Sequence, residues 1–375
     1  MSRGDEKSIL LRAVGDVALI GRAADALADG TDPAWPGTAA FLAEADITFA
    51  NFEMAIPRSV VERVAVDVSP DLVGRPDALP AFLETGVDVV ALATNHIMDW
   101  GEKGLAETLE ALRERNVVPV GAGANLEEAI RGVVLERRGL RVGFCAFTPE
   151  QRWTATRDMP GAAPLTLEHV RASLDGMDRP DVRVVSLHWG IEMSHYPTPE
   201  DRKLARDIVE AGAHLIIGHH PHVIQGHEKV GGAFVVYSMG NFAFDIHAGR
   251  IRHEFDPWDL RAGYVVEATL EPGRVASLAA VPTLIGESGL GALASGADRE
   301  AILDRVSERS ENMEAGSAAV WEHAGGRLVG HKVKAVRATL RDGGPRAVLR
   351  ELRHFRWRHV RLILGFVRSR LGGGK

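Results

Sequence analysis

The histidines of this chain are unevenly distributed, and their spacing points to metal chemistry. Nine of the fifteen histidines lie between His188 and His253, and the densest run ends at His222. Two imidazoles in a His-x-His pair that follows a strand lie on one side of the chain, because strand side chains alternate with a period of two. His220 and His222 form such a pair and are candidate metal ligands.

Acidic and amide side chains follow other predicted strands in the same way. Five predicted strand ends carry polar groups, which are in turn Asp16, Asn51 with Glu53, Asn95 with His96, His188, and the group His219, His220 and His222. Open α/β sheets place their functional sites at the carboxyl ends of the strands. Carboxylate, amide and imidazole groups are ligands of divalent cations. We therefore predict a metal site at the edge where these strand ends meet.

The elements that must position these groups alternate between short apolar runs and helical patterns. Runs rich in β-branched residues predict strands at 9–14, 47–50, 87–93, 117–121, 141–148, 182–187, 214–218 and 234–238. Helical patterns predict helices at 80–84, 104–115 and 200–211. Asn125 and Thr198 are typical first residues of helices, and residues 264–271 and 275–282 predict an antiparallel hairpin. This alternation favours an α/β fold.

The composition is that of a folded globular chain. Of the 375 residues, 45% are hydrophobic and 25% are charged, which excludes collagen and a disordered polyelectrolyte. The single cysteine, Cys145, permits no intrachain disulfide and lies in a predicted buried strand. We find no signal-peptide pattern and no apolar stretch long enough to span a membrane. The expected location is therefore cytoplasmic.

The net charge of −7 conceals two parts of opposite sign. Residues 332–375 carry a net charge of +11, and the rest of the chain carries −18. Between residues 345 and 371, apolar side chains recur at three- and four-residue steps, which predicts a basic amphipathic helix. Docking on the acidic body, binding of an acidic partner and binding to a membrane surface are the alternatives for this tail. No nucleic-acid-binding motif accompanies the charge, so we expect no nucleic acid partner.

Six segments of the chain resemble the CapA family, which is named for bacterial poly-γ-glutamate capsule synthesis proteins. They are GDVALIGR (15–22), NFE (51–53), ATNHIMDWGEKGLAETLEAL (93–112), SLHWGIE (186–192), GAHLIIGHHPHVIQGHE (212–228) and YSMGNFAFD (237–245). The resemblance covers about residues 9–285 and implies a catalytic domain with the calcineurin-like metallophosphatase fold, a four-layer αββα sandwich. Residues 286–330 are then expected to form a loop and helical connector, and residues 331–375 the basic helical tail.

The resemblance also assigns roles to individual residues. The implied metal ligands are Asp16, Glu53, Asn95, His188, His220 and His222, with Asn51 as a further candidate beside Glu53. His96 matches the adjacent acid/base histidine of the family. Asp245 matches the last family motif.

The chain departs from ordinary metallophosphatases at one position. Ala18 stands where those enzymes have a histidine two residues after the first aspartate. This loss weakens one of the two metal positions and favours a single divalent ion. Calcium, magnesium or manganese suits the oxygen ligands, and zinc would favour the histidines. No organic cofactor is expected.

Three kinds of function are compatible with these residues, beside a non-catalytic metal-stabilised binding module. We place first a metal-dependent peptide epimerase, similar to the lasso-peptide epimerases among CapA-like proteins, which would invert the Cα of the C-terminal residue of a ribosomal precursor peptide. The catalytic groups would be His96 paired with Asp16 or Asp99, and His220 or His222 paired with Asp245. The alternatives are capsule or poly-γ-glutamate biosynthesis and hydrolysis of a phosphoester or amide.

Overall fold

The computed structural model describes residues 7–58, 72–150, 153–245 and 257–321. The predicted basic tail at 331–375 lies outside these residues. The strands are β1 (Ile9–Val17), β2 (Ile47–Phe52), β3 (Val87–Ala91), β4 (Val118–Val120), β5 (Ala122–Gly123), β6 (Val133–Arg137), β7 (Leu140–Phe147), β8 (Gly161–Ala162), β9 (Val182–His188), β10 (Leu215–His219), β11 (His227–Val230), β12 (Ala233–Val236), β13 (Asn241–Ala243), β14 (Ala262–Glu271), β15 (Arg274–Ile285) and β16 (Gly291–Leu293).

Helices connect most of these strands. They are α1 (Gly21–Asp29), α2 (Trp35–Ala43), α3 (Leu79–Leu83), α4 (Gly101–Arg113), α5 (Leu126–Ala129), α6 (Leu167–Gly176), α7 (Pro199–Glu210), α8 (Pro257–Arg261) and α9 (Gly296–Glu311). Two of the predicted helix starts are confirmed. The Asn125 side chain accepts a hydrogen bond from the backbone of Glu128, and Thr198 and Asp201 form a reciprocal capping box.

The strands form two large mixed sheets. The first runs in the order β16-β15-β14-β1-β2-β3-β4, with β13 also paired to β1, and the second runs β11-β12-β10-β9-β7-β6. Strands β1 to β4 are parallel to one another, as are β7, β9, β10 and β12. The carboxyl ends of each parallel set therefore lie at one edge of its sheet.

The two sheets pack face to face and helices cover both outer faces. Phe49 of the first sheet stacks on Phe144 of the second with ring centroids 6.0 Å apart. Along β9, Val184 belongs to the core between the sheets and Val185 to the core under the outer helices, as the strand alternation requires. Helices α1 to α4 lie on the first sheet, and α6 and α7 lie on the second. The predicted four-layer αββα sandwich is thereby confirmed.

The first sheet continues past residue 285, where the sequence placed the end of the catalytic domain. Strand β16 pairs with β15, and Ile302 and Val306 of α9 belong to the core between the sheets. Part of the expected connector is thus integrated into the sandwich. Within the described residues, no helix combines the length and the apolar character needed to cross a bilayer.

Gly218 allows β10 and the chain leaving β12 to approach closely just before the histidine segment. A Cβ at this position would lie 1.9 Å from the carbonyl oxygen of Tyr237, a distance that no side chain tolerates. Glycine is therefore required here for packing, two residues before His220.

We expect Gly218→Ala to lower the free energy of unfolding by about 3 kcal/mol, because the backbone of Tyr237 must shift. Chemical denaturation of the two proteins measures this change. The control is Gly232→Ala, whose added methyl would meet no atom within 4 Å and should change the stability little. Equal stabilities of the two variants would contradict the packing argument.

Candidate metal centre

The polar groups that follow the strands meet at one edge of the sandwich. Asp16 pairs with Asn51 in the parallel register of β1 and β2, and the backbone N–H of Glu53 donates to the carbonyl of Val17 at 2.9 Å. His188 ends β9, and His219 beside it ends β10. The carboxylates thus come from the first sheet and the imidazoles from the second, so the centre spans both sheets.

Asp16, Glu53 and His222 form one group of potential ligands. Nδ1 of His222 lies 3.4 Å from a carboxylate oxygen of Asp16, and its Nε2 lies 3.5 Å from Glu53. Ala18 is fully buried and adds no ligand, which leaves this group with the three side chains.

Glu53, His188 and His220 form a second group. Nε2 of His188 lies 3.4 Å from Glu53 and 3.1 Å from Nδ1 of His220. Asn95 brings its carbonyl oxygen within 2.8 Å of the same His188 nitrogen. The second group therefore has four potential ligands, and it shares Glu53 with the first.

The carboxylate of Glu53 is the strongest sign that the centre is built for a cation. Glu53 is fully buried, and neither of its carboxylate oxygens has a hydrogen-bond partner among the described residues. Burying an ionised carboxylate without hydrogen bonds is costly unless an opposite charge balances it. Oxygen and imidazole donors around it suit a divalent ion. The residues predicted as ligands are thus brought together and fit a metal.

The pKa values of the two carboxyls favour the ionised form that a cation needs. Burial raises the pKa of Asp16, but contacts with His219 and His222 lower it below its usual range. Burial likewise raises the pKa of Glu53, and the charges of His222 and His188 bring it well below the usual value. Both groups therefore carry negative charge at neutral pH.

His220 and His222 have a strained backbone. Their φ angles are 93° and 60°, in the left-handed region that side chains other than glycine rarely adopt. Such conformations persist where surrounding contacts determine them and cluster at functional sites. The backbone N–H of His220 also donates to Asp16 at 3.1 Å, which joins the histidine segment to the first sheet.

A histidine oriented by a carboxylate lies next to the ligand groups. Nδ1 of His96 donates to Asp99 at 2.7 Å. Of the two carboxylates that the sequence offered as partners of His96, Asp16 and Asp99, the hydrogen-bonded one is therefore Asp99. Burial lowers the pKa of His96, but the hydrogen bond and the charge of Asp99 raise it above its usual value. His96 directly follows the potential ligand Asn95. It is therefore suited to exchange a proton with a molecule bound at the centre.

Asp245 contacts Arg22 of α1, a partner that the sequence did not suggest. It accepts hydrogen bonds from the backbone N–H of Arg22 at 2.8 Å and from its guanidinium at 3.0 and 3.2 Å. The first of these bonds satisfies an N–H group in the first turn of α1. Asp245 therefore stabilises the first turn of α1, and the catalytic role expected from the sequence stays a prediction.

Three further residues belong to the centre. The sequence indicates Asn51 as a further candidate ligand and assigns no individual role to His219 or Asn241. The buried His219 has its Nδ1 3.3 Å from Asp16. The amide of Asn51 donates to Asp16 at 2.9 Å, and Asn241 contacts Nδ1 of His222 at 2.9 Å. The strand-end position of His219 and the family segment around Asn241 were the available signals, but neither reveals a contact between distant residues.

Comparison with known proteins identifies the family. The sequence profile described as "Bacterial capsule synthesis protein PGA_cap" matches residues 10–246, more than half of the chain. The chain belongs to this family. The resemblance to CapA proteins is thereby confirmed, and the matched region contains every residue of the two ligand groups.

Two curated CapA proteins are similar to this family member. "Capsule biosynthesis protein CapA" of Bacillus anthracis is 30% identical over 251 residues, which are 64% of this chain and 61% of that protein. "PGA biosynthesis protein CapA" of Bacillus subtilis is 29% identical over 238 residues, 62% of each chain. The chain thus spans about three fifths of the length of these relatives.

Among solved structures, a protein described as a novel phosphatase from Mycoplasma pneumoniae aligns with 74% of this chain and 94% of its own length. The sequence identity is 13% and the TM-score is 0.46.

We expect divalent ions to stabilise this PGA_cap protein and Glu53→Gln to abolish the effect, because the variant loses the negative charge of the side chain that both groups share. At a metal concentration 100 times the Kd, the stabilisation should be about 2.7 kcal/mol. Thermal unfolding with added Mn²⁺, Ca²⁺ or Zn²⁺ measures it. The exposed residue Glu287 supplies the control Glu287→Gln, which should respond as the wild type does. A full metal response in Glu53→Gln would refute the assignment.

Proposed function

We propose that this PGA_cap protein is a divalent-metal-dependent acid–base enzyme that acts on a peptide. The observation that carries the proposal is the buried His96–Asp99 pair, joined at 2.7 Å, directly beside Asn95 and the two ligand groups. Asp99 holds the imidazole in one orientation, so that its Nε2 can exchange a proton with a bound substrate.

The reaction we propose is removal and return of a proton at a peptide Cα, which inverts that centre. A divalent cation held by the second group would polarise a neighbouring substrate carboxylate or carbonyl and stabilise the charge that develops there. His96 takes the Cα proton, and Asp99 stabilises the resulting imidazolium. His96 then loses this proton to solvent, and a water molecule on the opposite face of the Cα returns a proton there, which inverts the centre and accounts for uptake of a solvent proton.

The unequal ligand groups support chemistry at carbon over phosphoester hydrolysis. Phosphoester hydrolysis commonly uses two ions that hold the attacking and leaving oxygens. Here the group around Asp16 offers three ligands, and the group with Asn95 offers four. One firmly bound ion suffices to polarise a carboxylate or carbonyl.

Hydrolysis is the second candidate, and the position of Glu53 favours it. A carboxylate that belongs to both ligand groups is suited to bridge two ions, which would activate water for attack on an amide or phosphoester. The relative that is named for PGA biosynthesis, together with the resemblance to poly-γ-glutamate capsule proteins, adds poly-γ-glutamate to the peptides that should be tested as substrates.

The test is incubation of the metal-loaded protein in D₂O with linear peptides that have free C-termini, and separately with poly-γ-glutamate. We expect deuterium at one Cα together with the inverted amino acid, detected by mass spectrometry and chiral analysis. His96→Ala should lower the rate at least about 100-fold, because general acid–base catalysis is lost, and metal affinity should stay unchanged.

The matched control is His169→Ala, since His169 lies on α6 and its ring contacts the carbonyl of Pro164 rather than a residue of the centre. Its rate of exchange should equal that of the wild type. Cleavage of the substrate without deuterium at Cα would favour hydrolysis and overturn the epimerase proposal. Exchange that persists in His96→Ala would remove the proposed role of His96.

A further inference from the structure

Asn241 is a fully engaged buried amide beside the metal centre. It is 1% exposed and lies opposite Asp16 in the pairing of β13 with β1. Its Nδ2 donates to the carbonyl oxygen of Leu260 at 3.0 Å and to that of His222 at 3.3 Å. Because both of these partners can only accept, the orientation of the amide is determined and its Oδ1 must act as an acceptor.

The acceptor oxygen of Asn241 determines which nitrogen of His222 carries the proton. Oδ1 lies 2.9 Å from Nδ1 of His222, and a carboxylate oxygen of Asp16 lies 3.4 Å from the same nitrogen. Two acceptors around Nδ1 place the proton there in the neutral ring. Nε2, which is 3.5 Å from Glu53, is then left with its lone pair toward the ligand groups.

The backbone of His222 has a left-handed conformation that neighbouring contacts must stabilise. Its φ of 60° costs free energy that neighbouring contacts must offset. Asn241 contacts both the ring and the carbonyl of His222, and the ring of Phe244 meets the imidazole edge to face at 5.3 Å. The contacts therefore fix the direction of the His222 side chain and, in the neutral ring, its tautomer.

We propose that Asn241 is a positioning residue of the metal centre, holding His222 in the tautomer and direction in which its Nε2 can bind a cation. This inference rests on the metal centre proposed above. Residues that orient a metal-bound histidine commonly contribute a factor of 10 to 100 to metal affinity. The two polar atoms of the amide have different partners. Nδ2 donates hydrogen bonds to the carbonyl of Leu260 in α8 and to that of His222, and Oδ1 accepts from Nδ1 of the His222 ring.

Two substitutions separate these contacts. Asn241→Asp keeps an acceptor for Nδ1 of His222 and loses the hydrogen bonds donated to the carbonyls of Leu260 and His222, whereas Asn241→Leu loses the acceptor as well. Calorimetric titration with Mn²⁺ and with Zn²⁺ measures the affinities. We expect Asn241→Leu to bind each ion 10 to 100 times more weakly than the wild type, and Asn241→Asp to stay within about threefold of it.

The control is Asn312→Leu at the end of α9, where the Asn312 amide contacts the carbonyl of Glu308. This variant should bind metal as the wild type does. Equal losses of affinity in both Asn241 variants would overturn the proposal, because the residue would then act only through the fold. Unchanged affinity in Asn241→Leu would overturn it as well.

A measurement on the wild type covers the case in which the variants fail to fold. In zinc-loaded protein with ¹⁵N-labelled histidine, NMR should show the proton of His222 on Nδ1 and none on Nε2. A proton on Nε2 would overturn the proposal while leaving the metal centre intact. A wild-type protein that binds neither ion would overturn both.

Discussion

The buried carboxylate of Glu53 is the feature on which the rest of the centre depends. It lies where the two sheets meet, within 3.5 Å of imidazoles from the second sheet and without a hydrogen-bond partner among the described residues. A charge in this position is tolerated only if other charges balance it. The surrounding histidines do so in part, and a cation shared by both ligand groups would do so fully. The metal centre is thus also a link between the two sheets.

The backbone of the sandwich is adapted to bring these groups together. Side chains within the strands alternate between the core between the sheets and the cores under the helices, and these cores are built from apolar groups, so the polar groups of the centre meet at and beyond the strand ends. Gly218 lets β10 and the chain leaving β12 approach each other closely within the second sheet, just before the histidine segment. The left-handed backbone of His220 and His222 then turns both rings toward the carboxylates. Within the histidine segment, the strained conformation is confined to these two residues. A hydrogen bond from His220 to Asp16 and hydrogen bonds between His222 and Asn241 stabilise it.

Much of this arrangement could be predicted from local patterns, because the ligands directly follow apolar β-branched runs. The position of His188 at the end of β9 needed only the strand pattern and the α/β alternation. His220 and His222 follow the end of β10 with a left-handed backbone, so the period of two within a strand could not predict where their rings lie. Helix α1 could not be found in this way. Its first residue follows Ile20, which provides no side-chain cap, and an N–H group of its first turn is satisfied by Asp245, more than 200 residues away. The same contact gives Asp245 a structural partner that no sequence spacing reveals.

The difference between the two ligand groups connects the sequence to the chemistry. At Ala18 the chain has a methyl group where a metallophosphatase would have an imidazole, and its backbone N–H is committed to the carbonyl of Ala243 at 2.7 Å. The adjacent group loses a ligand, and the group that includes Asn95 does not. The group with four potential ligands includes Asn95, and His96 directly follows Asn95 in the sequence. A cation held there would lie beside the oriented proton carrier, so polarisation of a substrate and removal of its proton can occur at neighbouring atoms. A second ion in the group with three ligands would add little to a proton transfer at carbon, whereas hydrolysis of a phosphoester commonly uses two ions.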